Sequence, residues 1–110
     1  IDAVKKGMIA VTNKTDGTAA SHFKDLPFKV AGKTGTSETG YESTSSSNGL
    51  FVCYAPYDKP EIAIAVVVEH GVWGAYTAPI AKEIIMEYFN LNKENNNNAN
   101  QAAETIDIIW

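Results

Sequence analysis

The chain has 110 residues, enough for one domain or part of one, and 45% of them are hydrophobic, which supplies a modest core. Its formal net charge is −4 and its nine basic residues are all lysines. That balance speaks against nucleic-acid binding, which needs clustered Lys and Arg to neutralise phosphates, and the lack of arginine excludes bidentate arginine clamps.

No stretch approaches the ~18 consecutive apolar residues of a membrane span, and no secretory leader is visible. Because the sequence starts at Ile1 without a Met, it is expected to be a processed or excised piece. Residues 1–12 carry Val4, Met8 and Val11 at helical spacing with Lys5 and Lys6 on another face, which predicts a short amphipathic helix. Asn13-Lys14-Thr15-Asp16-Gly17-Thr18 is turn chemistry, and residues 21–27 read as a loop. Residues 28–37 fit a strand ending in glycine-bearing polar residues, and residues 39–49, rich in Ser, Thr and Gly, read as a flexible connection.

Two further strands follow, joined by the tight turn Pro56-Tyr57-Asp58-Lys59-Pro60. The first contains Cys53 within an apolar run; as the sole cysteine it has no internal disulfide partner and is expected to be a small buried hydrophobe. The second, residues 62–68, is apolar on both faces, which predicts a central, covered strand. After the loop His70-Gly71-Val72-Trp73-Gly74, in which Trp73 is expected to anchor the loop, Thr77-Ala78-Pro79 opens a second helix. Ile80, Ile84 and Tyr88 share one of its faces, and Ala81, Ile85 and Phe89 the adjacent one. From residue 92 the composition turns to an Asn-rich, low-complexity tail, expected to be disordered, that closes on the apolar Ile106-Asp107-Ile108-Ile109-Trp110. The predicted fold is α+β: a three-stranded antiparallel sheet flanked by N- and C-terminal helices. Such a sheet needs cover on both faces, more than two helices provide, so it reads as a section of a larger one with an open edge able to self-associate.

The residues most suited to touching a ligand are Gly32-Lys33-Thr34-Gly35-Thr36-Ser37. A phosphate loop is a poor fit: Pro27 stands where the G-x-x-x-x-G-K-[ST] pattern needs its first glycine, and a polar linker follows where a helix is required. An ordinary solvated strand end remains open. So does a carboxylate-binding strand edge, where Lys33 supplies charge, Thr34 and Thr36 alternate with Gly35 so that both hydroxyls face one side, and Gly35 admits a ligand to the backbone.

Lys-Thr-Gly is also one of three signatures of the serine penicillin-recognising enzymes. Around it, in order, stand Gly7-Met8 with Val11, Gly17-Thr18-Ala19, Val30-Ala31-Gly32-Lys33-Thr34-Gly35-Thr36 and Phe51-Val52-Cys53-Tyr54-Ala55-Pro56, then Ile64-Ala65-Val66-Val67-Val68-Glu69, Gly71-Val72-Trp73-Gly74 and Ala78-Pro79-Ile80-Ala81. Over residues 1–91 the chain resembles the C-terminal part of a class B penicillin-binding protein transpeptidase domain, of the elongation or sporulation type. The resemblance implies a fragment of the β-lactamase/transpeptidase-like fold, with residues 92–110 a separate tail. It implies that Lys33, assisted by the Thr34 and Thr36 hydroxyls, binds the carboxylate of a D-Ala-D-Ala stem peptide or of a β-lactam. The Thr36 backbone N–H would be one oxyanion-hole donor, and Gly35 would leave room for the acyl chain. The reaction implied is acyl transfer through an acyl-serine, cross-linking peptidoglycan, with neither cofactor nor metal. It also implies an extracytoplasmic setting, an upstream membrane anchor, and the N-terminal part of the same domain as partner.

The nucleophile and its base are expected to be missing. Ser21-His22-Phe23-Lys24 matches Ser-x-x-Lys and Ser46-Ser47-Asn48 matches Ser-x-Asn, but the first lies in the predicted loop close before Lys33 and the second follows Lys33, in the wrong order. His22 and His70, far apart and without a cysteine partner, do not make a zinc site. A D,D-carboxypeptidase or serine β-lactamase fragment is the alternative enzyme reading; an interaction module that recruits a strand to its open edge is the non-enzymatic one.

Overall fold

A computed structural model describes residues 1–38, 47–70 and 73–91. The connection 39–46, Gly71 and Val72, and the Asn-rich tail with its apolar end lie outside the described residues. In chain order the elements are helix α1 (Asp2–Asn13), helical turn α2 (Ala20–Phe23), strands β1 (Ala31–Glu38), β2 (Ser47–Ala55) and β3 (Ile62–Val68), a 3₁₀ turn (Gly74–Thr77) and helix α3 (Ala78–Tyr88). The three strands form one antiparallel sheet in the order β1-β2-β3, the α+β arrangement expected.

Period-two burial divides the sheet into unlike faces. Gly49, Phe51, Cys53 and Ala55 of β2 are buried. Their register partners are Thr36, Thr34 and Gly32 on β1 and Val68, Val66, Ile64 and Ile62 on β3. This inner face packs against Phe23 of α2 and against Ala78, Ala81 and Ile85 of α3. Phe51, fully buried, stacks on Phe23 with ring centroids 5.7 Å apart, and Phe28 meets Phe89 at 4.7 Å. The opposite face carries Lys33, Gly35, Leu50, Val52, Ala63, Ala65 and Val67, with Val52 44% and Val67 60% exposed.

Four expectations need correction. Among the described residues the strand at 62–68 lies at the sheet edge rather than at its centre: Ile62, Ile64, Val66 and Val68 face inward, but Ala63, Ala65 and Val67 are exposed. Its doubly apolar sequence registers a need for cover on both faces, and no described residue covers the second. The expected loop at 21–27 begins with α2, a helical turn without a side-chain cap that depends on the burial of Ala20 and Phe23; four residues are too few to show a period. In α3 the buried stripe is Ala78, Ala81 and Ile85, flanked by Phe89, while Ile80 and Tyr88 stay 44% and 51% exposed. Finally, Trp73 is 70% exposed and anchors nothing among the described residues.

Helix α1 is tied to the strand that matters most. Near its C-terminal end the Thr12 hydroxyl donates to the Val30 carbonyl, just before β1, and Asn13 Nδ2 donates to the same oxygen at 3.0 Å. The chain then doubles back tightly: Ala19 N–H reaches the Val11 carbonyl at 3.0 Å, and a Cβ on Gly17 would overlap the carbonyls of Ala10 and Val11. On the far side, Lys82 of α3 pairs with Asp25 at 2.8 Å, and its ammonium holds that exposed carboxyl below its usual range.

Two measurements test this packing. Phe51→Ala removes the central ring of the inner face and is expected to cost about 3–5 kcal/mol, read from the urea midpoint. Burial pushes the Cys53 thiol from 9.0 up to about 12. A disulfide reagent at pH 8 should therefore label it only after denaturation. Since the unfolded chain releases this proton first, the contribution of the thiol to stability is whole below pH 9 and is lost as pH rises towards 12.

Candidate active-site strand

Among the described residues, strand β1 has β2 on one side and no strand on the other. Along it Lys33 and Thr36 are exposed, and Thr34 and Gly35 are half-buried. The register puts Thr34 and Thr36 on the inner face, opposite Phe51 and Gly49, and Lys33 and Gly35 on the other, opposite Val52 and Leu50. Both hydroxyls thus share one side, as the alternation requires, and the lysine belongs to the opposite side.

The lysine nevertheless stays at the strand. Its Nζ donates to the Thr34 carbonyl at 2.5 Å, while the Thr34 hydroxyl lies 3.1 Å from that of Thr18. An ammonium and two hydroxyls therefore gather around residue 34. Among the described residues Lys33 pairs with no carboxylate. A cation without a counter-ion among the described residues suits an incoming anion. Thr18 was not singled out as a site residue from sequence; its only signal was its place in Gly17-Thr18-Ala19.

Thr36 is held differently. The Gly74 N–H donates to the Thr36 hydroxyl oxygen at 3.2 Å, and the Thr77 hydroxyl donates to the Gly74 carbonyl at 2.5 Å. Gly74 is buried directly against Gly35, so that a Cβ on Gly74 would overlap the backbone N, C and O of Gly35. A Cβ on Gly35 would meet only Leu50 Cβ, at an ordinary 3.6 Å. Within this chain the tight glycine is Gly74.

The literal matches to the other signatures lie elsewhere. Ser21 and Lys24 are exposed at α2, the turn whose Phe23 covers the inner face, whereas Lys33 belongs to the opposite face. Ser46 is outside the described residues, and Asn48 spends its side-chain oxygen on the backbone N–H of His70, a residue at φ 67°. Among the described residues no three His, Cys, Asp or Glu side chains gather as metal ligands. None of their helices is long and apolar enough to cross a membrane.

The sequence and fold of this chain are similar to those of known proteins. Residues 1–87 match the family described as "Penicillin binding protein transpeptidase domain". The peptidoglycan D,D-transpeptidase MrdA of Haemophilus influenzae is 31% identical over 102 residues, 81% of this chain and 16% of that protein. Penicillin-binding protein 2A of Bacillus subtilis is 34% identical over 113 aligned residues, 92% of this chain and 16% of that protein. Among solved structures, PBP2 of Pseudomonas aeruginosa in complex with WCK 5153 superposes with a TM-score of 0.69 at 34% identity, covering 79% of this chain and 19% of the other. The chain thus spans about 16% of the length of these curated relatives. Its sheet and helices are those of a transpeptidase domain of the β-lactamase-like fold, and the chain belongs to the penicillin-binding protein transpeptidase family, class B.

Proposed function

We propose that this chain supplies the carboxylate- and oxyanion-binding wall of a serine-type peptidoglycan D,D-transpeptidase, on the extracytoplasmic side of a bacterial membrane. The observation that carries the reading is on β1: the Lys33 ammonium caps the Thr34 carbonyl and the Thr34 hydroxyl pairs with that of Thr18, on a strand with one side unpaired among the described residues. Lys33 takes the terminal carboxylate of a D-Ala-D-Ala stem peptide, or its counterpart in a β-lactam, with Thr34 and Thr36 assisting. Backbone groups alternate sides along a strand, so the Thr36 amide shares the direction of the Thr34 carbonyl that Lys33 caps. That orientation supports the Thr36 N–H as an oxyanion donor, a group whose loss typically costs ~10²–10³ in rate.

In the reaction, a serine oxygen from elsewhere in the domain adds to the peptide carbonyl and its proton passes to a base. The carbonyl oxygen becomes the oxyanion, and collapse of the adduct breaks the C–N bond and expels protonated D-Ala. An amine of a second stem peptide then displaces the serine, which recovers a proton. The relatives named as D,D-transpeptidases favour this acceptor over water, the acceptor of a carboxypeptidase or β-lactamase. The exposed apolar face of Val52, Ala65 and Val67 is where the N-terminal part of the same domain packs, bringing the nucleophile to Lys33.

Two labelling experiments check the proposal. The 110-residue chain alone should take up no fluorescent penicillin; covalent label at Ser21 or any other residue would refute the missing nucleophile. In the full-length polypeptide, Lys33→Ala should slow acylation by roughly 10²-fold, the scale of losing one partner of a hydrogen-bonded charge pair. Acylation at the wild-type rate would remove Lys33 from its assigned role.

A further inference from the structure

The glycine after Trp73 makes two independent contacts with the strand that carries Lys33, and both involve its backbone. Its N–H donates to the Thr36 hydroxyl oxygen at 3.2 Å. Its α-carbon is so close to Gly35 that any side chain would overlap the Gly35 peptide. The contact comes from the inner face, the face Thr36 shares with Gly49 and Phe51. Behind Gly74 the 3₁₀ turn is rigidly supported: Thr77, fully buried, donates to the Gly74 carbonyl, and Ala78 and Ala81 continue into the core.

We infer that Gly74 is a positioning residue for the oxyanion donor: it fixes how far β1 stands from the inner core and how the peptide between Gly35 and Thr36 is rotated. The Thr36 N–H belongs to that peptide. A side chain at 74 pushes Gly35 and Thr36 towards the face that bears Lys33 and rotates the amide, whereas Lys33, held two residues away by its own contact with Thr34, moves less. A donor aimed where charge develops in the transition state loses its effect with small misplacement, on the order of 10²-fold for about 1 Å. The turn that follows β3 thus acts on the chemistry through backbone geometry alone, and its glycine is required for that reason.

This rests on the proposed function, and the test separates the two. In the full-length polypeptide, stopped-flow acylation by a chromogenic cephalosporin resolves the affinity of the initial complex from the first-order acylation rate. For Gly74→Ala the acylation rate should fall roughly 10- to 100-fold while the initial affinity changes less than about threefold. Lys33→Ala should do the reverse in emphasis: its slower acylation at sub-saturating drug should come chiefly from a weaker initial complex. Thr36→Val keeps the Thr36 amide but removes the acceptor of the Gly74 N–H, Thr36→Ser restores it, and the Gly74→Ala/Thr36→Val double variant should be no slower than its slower parent, because both changes break one linkage. Should Gly74→Ala fail to fold, a loss of acylation rate in Thr36→Val at unchanged initial affinity, recovered in Thr36→Ser, still upholds the inference, and a loss of affinity instead assigns the hydroxyl to substrate binding and overturns it. Wild-type acylation rates in both Gly74→Ala and Thr36→Val, or a foldable Gly74→Ala that loses affinity and rate equally, overturn it. A wild-type polypeptide that is not acylated at all refutes the proposed function instead.

Discussion

The site depends on β1 staying fixed in place while, among the described residues, one side of its backbone has no neighbouring strand. An edge strand is normally blunted by charge, bulges or a covering element, because its free N–H and C=O groups recruit other chains. Here the ladder to β2 supplies one set of bonds, and further contacts steady the strand without adding a partner strand among the described residues. The Thr12 hydroxyl and Asn13 amide hold its entry through the Val30 carbonyl. The Thr18 hydroxyl meets Thr34 midway, and the Gly74 backbone supports Gly35 and Thr36 from behind. Lys33 curls onto the Thr34 carbonyl, so the edge also carries the one charge placed among its central residues.

Packing explains how so small a core holds that strand. Phe51 faces Thr34 across the ladder and stacks on Phe23, while Ala55, Ala78 and Ala81 let the helices approach closely. Gly32 belongs to the same economy: a Cβ there would stand 2.7 Å from Cζ of Phe51 and 3.0 Å from the Val52 carbonyl oxygen. The buried ring therefore fills the space above Gly32, and the beginning of β1 is set by core packing while its middle is left to the ligand-facing residues. The other face has the opposite character. Val52 and Val67 stand in solvent among alanines, a surface whose apolar area gains by cover.

Much of this was legible in the sequence where a local pattern carried it. The helical spacing of residues 1–12, the apolar run around Cys53 and the proline at the start of α3 each point to an element without outside help. The Lys33–Thr36 segment was legible because its residue types are chemically unusual together. Patterns failed where tertiary cover decides the outcome. Residues 62–68 are apolar on both sides, so sequence predicts a central strand, yet a strand becomes central only when another pairs beside it. Trp73 attracts attention as the large residue of its loop and yet lies in solvent, while the glycine next to it is the residue packed against the strand.

Gly74 shows most clearly why residue-by-residue reading stops short. In sequence, Gly35 is the glycine with an evident purpose, lying inside Lys-Thr-Gly-Thr, and Gly74 is a loop glycine. In the structure a Cβ at Gly35 would make an ordinary contact, while one at Gly74 would overlap the Gly35 peptide. The steric demand on the motif is thus written on a different strand connection, at a position brought to it only when β2 and β3 fold back. The same holds for Thr36. Its hydroxyl looks like a ligand for substrate when read beside Lys33, but its oxygen already accepts the Gly74 N–H, and towards an anion it has its proton to offer. The chemistry of the four motif residues is therefore divided. The charge and one hydroxyl answer to the open edge, and the peptide between Gly35 and Thr36 answers to the turn behind it.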